Sequence, residues 1–325
     1  MAKQWSDRVG RRLKLRDLHI LLTVANSGSM GKAASDMAVS QPAISKAIAD
    51  LEIALGVRLL DRSPQGIEPT IYGRALLKCG TAVFDDLQQG VKEIEFLADP
   101  SAGELTIGCT EPLSAGFVSV VINKLSRQYP KATFHVISAD PVILRNRELP
   151  QRHIDLAIMP ITGLALEQDT AVDFLFDDRH VVLAGGNNKW IRRRNIALAD
   201  LIDEPWIFPP PDTPVGSYIA AGFRAAGLEP PRAHVLSFSV PLHQHLLSTG
   251  RFLTTLPLSM VVHNQHLPLK LLSVKFPAVS RPVAIVTLKN RTLKPLARLF
   301  IDCARTLAEP LVKVESAARL RKIAG

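Results

Sequence analysis

Between Leu18 and Gly56 the apolar residues recur with helical spacing. Leu18, Leu21, Leu22 and Ala25 stand at i, i+3, i+4 and i+7 and predict a first helix that Gly28 stops. Ser29 is placed to cap a short second helix with Ala33, Ala34 and Met37 inward, its small alanines allowing another helix close approach. After a link of only Ala38, Val39 and Ser40 comes the stretch SQPAISKAIADLEIALG. Ser40 sits at its N-cap, Pro42 in its first turn, and Ile44, Ile48, Leu51 and Leu55 form one apolar stripe that ends at Gly56. Two helices joined so tightly predict a helix-turn-helix. Arg58–Asp61 and Ile67–Ile71 then read as two short strands around the turn Ser63-Pro64-Gln65-Gly66, a β-wing.

From Tyr72 to Leu97 there is no proline, and a seven-residue repeat appears. Gly80, Leu87 and Ile94 form one row, and Leu76, Val83, Gly90 and Leu97 the other, the seam of a pairing helix. An amphipathic helix packed on its own domain has the same pattern, and the two glycines weaken the seam as a free coiled coil. Asp99-Pro100-Ser101-Ala102-Gly103 breaks the helix and predicts a hinge.

Beyond residue 103 short apolar runs alternate with helical patterns: strands at 104–109, 132–138 and 155–160 with helices at 113–128 and after Asp140-Pro141. The alternation resumes with strands at 180–185, 206–209, 234–239 and 252–257, helices from Pro214 and Pro241, a strand at 281–288 and a helix at 294–312. Strand–helix–strand order predicts doubly wound, mostly parallel sheets of the α/β class. The tail 313–325 reads as a loose helix or disordered segment.

Composition adds bounds. The 325 residues suffice for two domains or more, and 47% hydrophobic with 21% charged is the make-up of a globular protein. A net charge of +9 suits a polyanionic partner, and residues 1–75 carry 11 Lys+Arg against 7 Asp+Glu. Three widely spaced cysteines without CxxC argue against a disulfide framework or zinc site. The basic N-terminus has no apolar stretch after it and no run has the length of a membrane helix, so a cytoplasmic protein outside the membrane is expected.

Gln41, Ser45 and Lys46 lie opposite the apolar stripe and suit base edges and phosphates from a helix in a major groove; a merely solvated face would carry the same residue types. Arg62 is placed beside a minor groove or phosphate backbone. In open α/β sheets ligands lie beyond the carboxyl ends of strands, near helix starts. Three turns meet that description: Thr110-Glu111-Pro112, Asp212–Ser217 with Thr213 and Val215, and Ser239-Val240-Pro241. Pro160-Ile161-Thr162 is a fourth, weaker one, and each turn is also explained by plain helix capping. His243 and His245, two apart on a helix, are poor joint metal ligands, and Cys109 and Cys303 fall in apolar patterns as small hydrophobes.

The segment LHILLTVANSGSMGKAASDMAVSQPAISKAIADLEIALGVRLLDR resembles the N-terminal winged helix-turn-helix of LysR-type transcriptional regulators. The resemblance is close over residues 13–75, carried by AA at 33–34, SQPAISKAI at 40–48, LE at 51–52, LG at 55–56 and LLDR at 59–62. Met30, Leu60 and Ile71-Tyr72-Gly73 depart from the family pattern as packing changes, and Lys46 replaces a frequent Arg, which alters a base-reading fork.

The resemblance implies a DNA-binding domain at 1–75, a linker and dimerisation helix at 72–99, and an effector-binding domain at 103–325 with a two-lobed, periplasmic-binding-protein-like fold. Lobe I would take about 103–175 and 280–312 and lobe II about 176–279, with crossings near 173–180 and 274–280. It places Gln41, Pro42, Ser45 and Lys46 toward the groove and Ser29, Arg62 and Thr70 on the DNA backbone. Thr110 best matches the family's effector cleft, with Glu111, Pro160, Thr162, Thr213, Val215 and Ser239 in the corresponding regions. It implies double-stranded DNA, a small-molecule effector, RNA polymerase and further copies of the chain, as dimer or tetramer, for partners, and no resident cofactor. An enzyme is disfavoured because G-x-S-x-G, H-E-x-x-H, Walker A and G-x-G-x-x-G patterns are all missing.

Overall fold

The computed structural model describes residues 13–63, 66–161, 169–263, 269–277 and 281–323. The chain divides into two compact units, one through Val91 and one from Lys92. In the first, helices α1 (Leu15–Ser27), α2 (Met30–Asp36) and α3 (Gln41–Leu55) precede a two-stranded wing, β1 (Leu60–Ser63) and β2 (Gly66–Pro69), and the long helix α4 (Ile71–Ala98). Ile20, Leu21, Val24, Met30, Ala33, Ala34, Ile44, Ile48, Leu51 and Leu59 close one core. The buried face of α1 is rotated from the expected one: Leu18, Ile20, Leu21 and Val24 are inside, whereas Leu22 and Ala25 are half-buried. The rotation brings Leu18 onto α4, its Cδ1 2.9 Å from where a Cβ on Gly80 would stand.

Gly28 and Gly56 both take left-handed conformations, φ 65° and 73°, and their N–H groups close the last turns of α1 and α3. Ser40 stands at the N-cap of α3, but its side chain makes no capping bond, contrary to expectation. Glu52 Oε1 instead ties the end of α3 to the wing, accepting the N–H groups of Leu59 at 2.7 Å and Leu60 at 3.3 Å. The wing strands pair antiparallel from Leu60↔Pro69 to Ser63↔Gly66. β1 begins later than Arg58 because Thr70 takes the carbonyls of Arg58 and Leu59 for its hydroxyl and its N–H.

Helix α4 corrects the expected pairing seam. Its N-terminal part turns inward: Gly80 is buried against Leu18, Leu76 and Leu77 pack on the domain core, and Phe84 meets the His19 ring at 5.4 Å. The stripe is uncovered only further along, where Leu87, Val91, Ile94 and Leu97 are 50–75% exposed.

The second unit contains two five-stranded sheets. The first has order β4-β3-β5-β12-β6, from β3 (Ala102–Cys109), β4 (Lys131–Ser138), β5 (Leu156–Pro160), β6 (Thr170–Asp177) and β12 (Pro282–Leu288). The second has order β11-β7-β10-β8-β9, from β7 (His180–Gly185), β8 (Trp206–Phe208), β9 (Ala233–Leu236), β10 (Leu253–Pro257) and β11 (Leu269–Leu271). Both sheets are mixed: β3 runs parallel to β4 and β5, while β12 is antiparallel to β5 and β6.

Strand β12 returns to the first lobe, as expected. β6 pairs with it through Asp177, so 173–177 is strand and the first crossing shrinks to the residues before His180. Helices α5 (Ser119–Gln128), α6 (Pro214–Ala225), α7 (Val240–Ser248), α8 (Leu258–His263) and α9 (Pro295–Ile323) cover the sheets. α9 continues through residues 313–323, so the tail takes the helical one of its two expected forms. Its start is stapled by buried Asp155, which meets Lys294 at 2.7 Å, Arg291 at 3.1 Å and the Thr106 N–H at 2.9 Å. Among the described residues no helix is long and apolar enough to cross a membrane.

Candidate functional site

On α3 the core takes Ile44, Ile48 and Leu51, and the 3.6-residue period leaves Gln41, Pro42 and Lys46 exposed with Ser45 half-buried beside them. Gly56 and Glu52 hold this helix against the wing, where Arg62 is exposed on β1, its side chain making no hydrogen bond or ion pair among the described residues. Two residues expected at the DNA backbone are already committed. Ser29 accepts the Lys32 N–H at 3.5 Å as the cap of α2, and Thr70 donates to Arg58 O at 2.8 Å while accepting from Gly73 N–H at 3.0 Å. The wing turn residues Pro64 and Gln65 lie outside the described residues.

Between the two sheets of the second unit lies a cleft of about 340 Å³. Thr110, Glu111, Pro160 and Val215 line it. Thr213 and Ser239 do not: their hydroxyls are turned inward to cap α6 and α7, accepting from Gly216 N–H at 3.1 Å and Leu242 N–H at 3.4 Å. Thr162 lies outside the described residues. Thr110 is the opposite case, an N-cap residue whose side chain makes no capping bond and which borders the cleft. Helical turns Glu111–Leu113 and Pro141–Ile143 start at the ends of β3 and β4, and each passes directly into a π-helical turn, Ser114–Val118 and Leu144–Glu148. Such turns recur at functional sites.

Among the described residues, contacts from both sides join the lobes near this cleft. Glu111 Oε1 of the first lobe accepts the N–H of Val240 in the second at 3.0 Å. Gly116, in the π-turn, lies against α8 so closely that a Cβ there would stand 2.7 Å from the Cα of Met260.

The crossing itself carries polar residues that the sequence reading did not single out. Arg281 donates through Nη1 to Nε2 of His180. A guanidinium has only donors, so Nε2 is the acceptor and the ring proton sits on Nδ1, facing Thr255 Oγ1 at 3.4 Å. Burial, and then the Arg281 charge, hold His180 well below the ordinary imidazole pKa. The guanidinium also lies 5.3 Å over the Tyr218 ring. Next to it, Asp178 accepts from Ser259 N–H at 3.0 Å and Ser259 Oγ at 2.6 Å, with its pKa raised by burial.

His243 is buried with its Nε2–H on Ser237 O at 3.0 Å and Nδ1 3.1 Å from Thr254 Oγ1, and burial lowers its pKa too. His245 is exposed, so the two histidines form no joint site. Cys109 is buried, its thiol pushed up to about 12 by burial. A sequence signal for this crossing existed in Asp177-Asp178-Arg179-His180, four ionisable residues between two apolar strands.

Comparison with known proteins matches residues 15–74 to the family "Bacterial regulatory helix-turn-helix protein, lysR family" and residues 98–309 to "LysR substrate binding domain". The chain is similar to the HTH-type transcriptional regulator GbpR of Azospirillum brasilense, 28% identical over 92% of this chain and 87% of that one. It is 26% identical to the regulator TdcA of Escherichia coli (strain K12), over 90% and 92% of the two chains. Among solved structures, a full-length OxyR variant from Pseudomonas aeruginosa superposes with TM-score 0.63 at 23% identity, covering 92% and 97%. Full-length CbnR in complex with its target DNA gives TM-score 0.52 at 21% identity, covering 91% and 100%.

Proposed function

Since the chain belongs to the LysR family of ligand-responsive, DNA-binding transcriptional regulators, we propose how its two sites divide the work. Helix α3 enters a major groove with Gln41, Pro42, Ser45 and Lys46 toward the bases, while Arg62 and the α2 start at Ser29 meet the phosphate backbone. Thr70 acts from behind, shaping the wing. Two chains pair through the uncovered stretch of α4 from Leu87 to Leu97, spacing their recognition helices for half-sites about 34–36 Å apart. Pairs assemble into tetramers through the sensor lobes on an interrupted inverted repeat.

A small-molecule effector occupies the inter-lobe cleft against Thr110, Glu111, Pro160 and Val215, with no resident cofactor. Closure of the lobes changes their packing, and with it the DNA bend and the recruitment of RNA polymerase. The protein does this in the cytoplasm and has no catalytic role. The observation that carries the reading is the cleft of about 340 Å³ between two sheets, walled by both.

The test pairs retardation of operator DNA by the full-length protein with thermal unfolding against sugars, sugar acids and carboxylates. A ligand that binds only the folded protein raises the melting point by mass action. Thr110→Ala should then abolish the effector response and leave DNA affinity intact. A normal response in that variant removes Thr110 from the site, and no retarded DNA at all removes the regulator reading.

A further inference from the structure

Among the described residues that wall the cleft, Arg281 is the single arginine or lysine. It is half-buried, and among the described residues no carboxylate lies within ion-pair distance of its guanidinium. The nearby acid, Asp178, already holds the Ser259 N–H and hydroxyl. His180, kept neutral by burial and then by the Arg281 charge, accepts one Nη1–H, and Tyr218 supports the guanidinium plane. Nε and Nη2 have no protein acceptor among the described residues. Guanidiniums withdrawn from water are ordinarily paired. This one is held by a neutral ring and an aromatic face, which fix its orientation, and the Asp178 charge reaches it only through space, without a direct ion pair.

The rest of the wall sets the size and charge of what fits. Pro112, Pro160, Val215, Ile219, Phe238 and Leu256 make it largely apolar. Glu111 and Asp140 also border it, each with one oxygen on a backbone N–H at a helix start. Their charges disfavour a ligand with more than one negative charge. The volume of about 340 Å³ suits a compact molecule.

Taking the cleft as the effector site, we propose that it accepts a small monocarboxylate on a compact apolar body, with the carboxylate on the free edge of Arg281 and the body against the apolar wall. A planar fork fits a carboxylate bidentately. The same residue stands where the chain crosses between lobes: its N–H donates to the Asp177 carboxylate and its carbonyl accepts the Asp178 N–H at 2.9 Å. Binding at the guanidinium therefore acts directly on the hinge.

The test uses the full-length protein with benzoate, cyclohexanecarboxylate and hexanoate, the amide of each, and inorganic phosphate, by calorimetry and thermal unfolding. At least one carboxylate should bind saturably below on the order of 10 mM, with its amide and phosphate at least about tenfold weaker. Arg281→Gln should remove that preference, and Arg281→Lys, which keeps the charge but not the fork, should lose affinity severalfold while retaining the native circular dichroism. The carboxylate assignment is overturned if amide and acid bind alike, if phosphate binds best, if none of the three acids binds, or if a folded Arg281→Lys binds as wild type. A neutral ligand that changes DNA retardation, and is blocked by the cleft-filling Val215→Trp, would leave the effector-cleft reading standing. A DNA response unaffected by Val215→Trp would remove that reading itself.

Discussion

The carboxylate of Glu111 and the backbone N–H of Val240, 129 positions apart in sequence, meet at 3.0 Å between the two lobes. A hydrogen bond to a charged acceptor contributes about 1.5–3 kcal/mol. Glu111→Ala should therefore shift the lobes toward the open arrangement and raise hydrogen exchange at the Val240 amide by roughly tenfold or more. Unchanged exchange there would mean that the contact does not hold the cleft.

Gly116→Ala should destabilise the protein by about 1–3 kcal/mol, since the new methyl meets Met260 backbone and not a yielding side chain. Gly90→Ala is the matched control, because nothing stands within 4 Å of a Cβ at that position. Thermal unfolding of the two variants should separate them clearly, with Gly90→Ala no less stable than wild type.

Lysine in place of Ile94 or Leu97, which are 68% and 75% exposed, should dissociate the chain pair with little effect on folding. Sedimentation would read the change as loss of dimer, and operator affinity should fall with it. Leu76→Lys should behave differently and unfold the first unit, because Leu76 packs on that unit's own core.

Lys46→Ala should weaken operator binding and relax the preferred base at one position, by about 1–3 kcal/mol of discrimination. Selection from random DNA measures this directly. An unchanged consensus would make Lys46 a phosphate contact or a solvated side chain.

Burial holds both His180 and His243 below the ordinary imidazole pKa, so each stays neutral in the folded protein. The unfolded chain takes up those protons below about pH 6.5. The stability that each contributes is complete above that pH and is lost as pH falls through it, by up to about 1.4 kcal/mol per pH unit per histidine. Melting temperature should drop between about pH 7 and about pH 5, and His243→Gln should flatten part of that slope.

Much of the protein was legible from its residues in order. The stripe of α3, the left-handed stops at Gly28 and Gly56, and the caps at Ser29, Thr213 and Ser239 are local matters, decided by side-chain period and backbone freedom within a few positions. The family signature in residues 33–62 is legible for the same reason, its core positions and Glu52 being tied to neighbours within about one helix length. Tertiary structure decided what covers each face. One apolar stripe on α4 is shielded at Gly80 by Leu18 and left open at Ile94, a distinction that periodicity cannot express. It also decided which capping hydroxyls turn inward, Thr213 and Ser239, and which one borders the cleft, Thr110. His180 and Arg281 stand 101 positions apart and meet only because β12 returns to the first sheet beside the crossing that leads to β7. Sequence spacing reports neighbours along the chain, whereas the partners of a buried charge are neighbours in space.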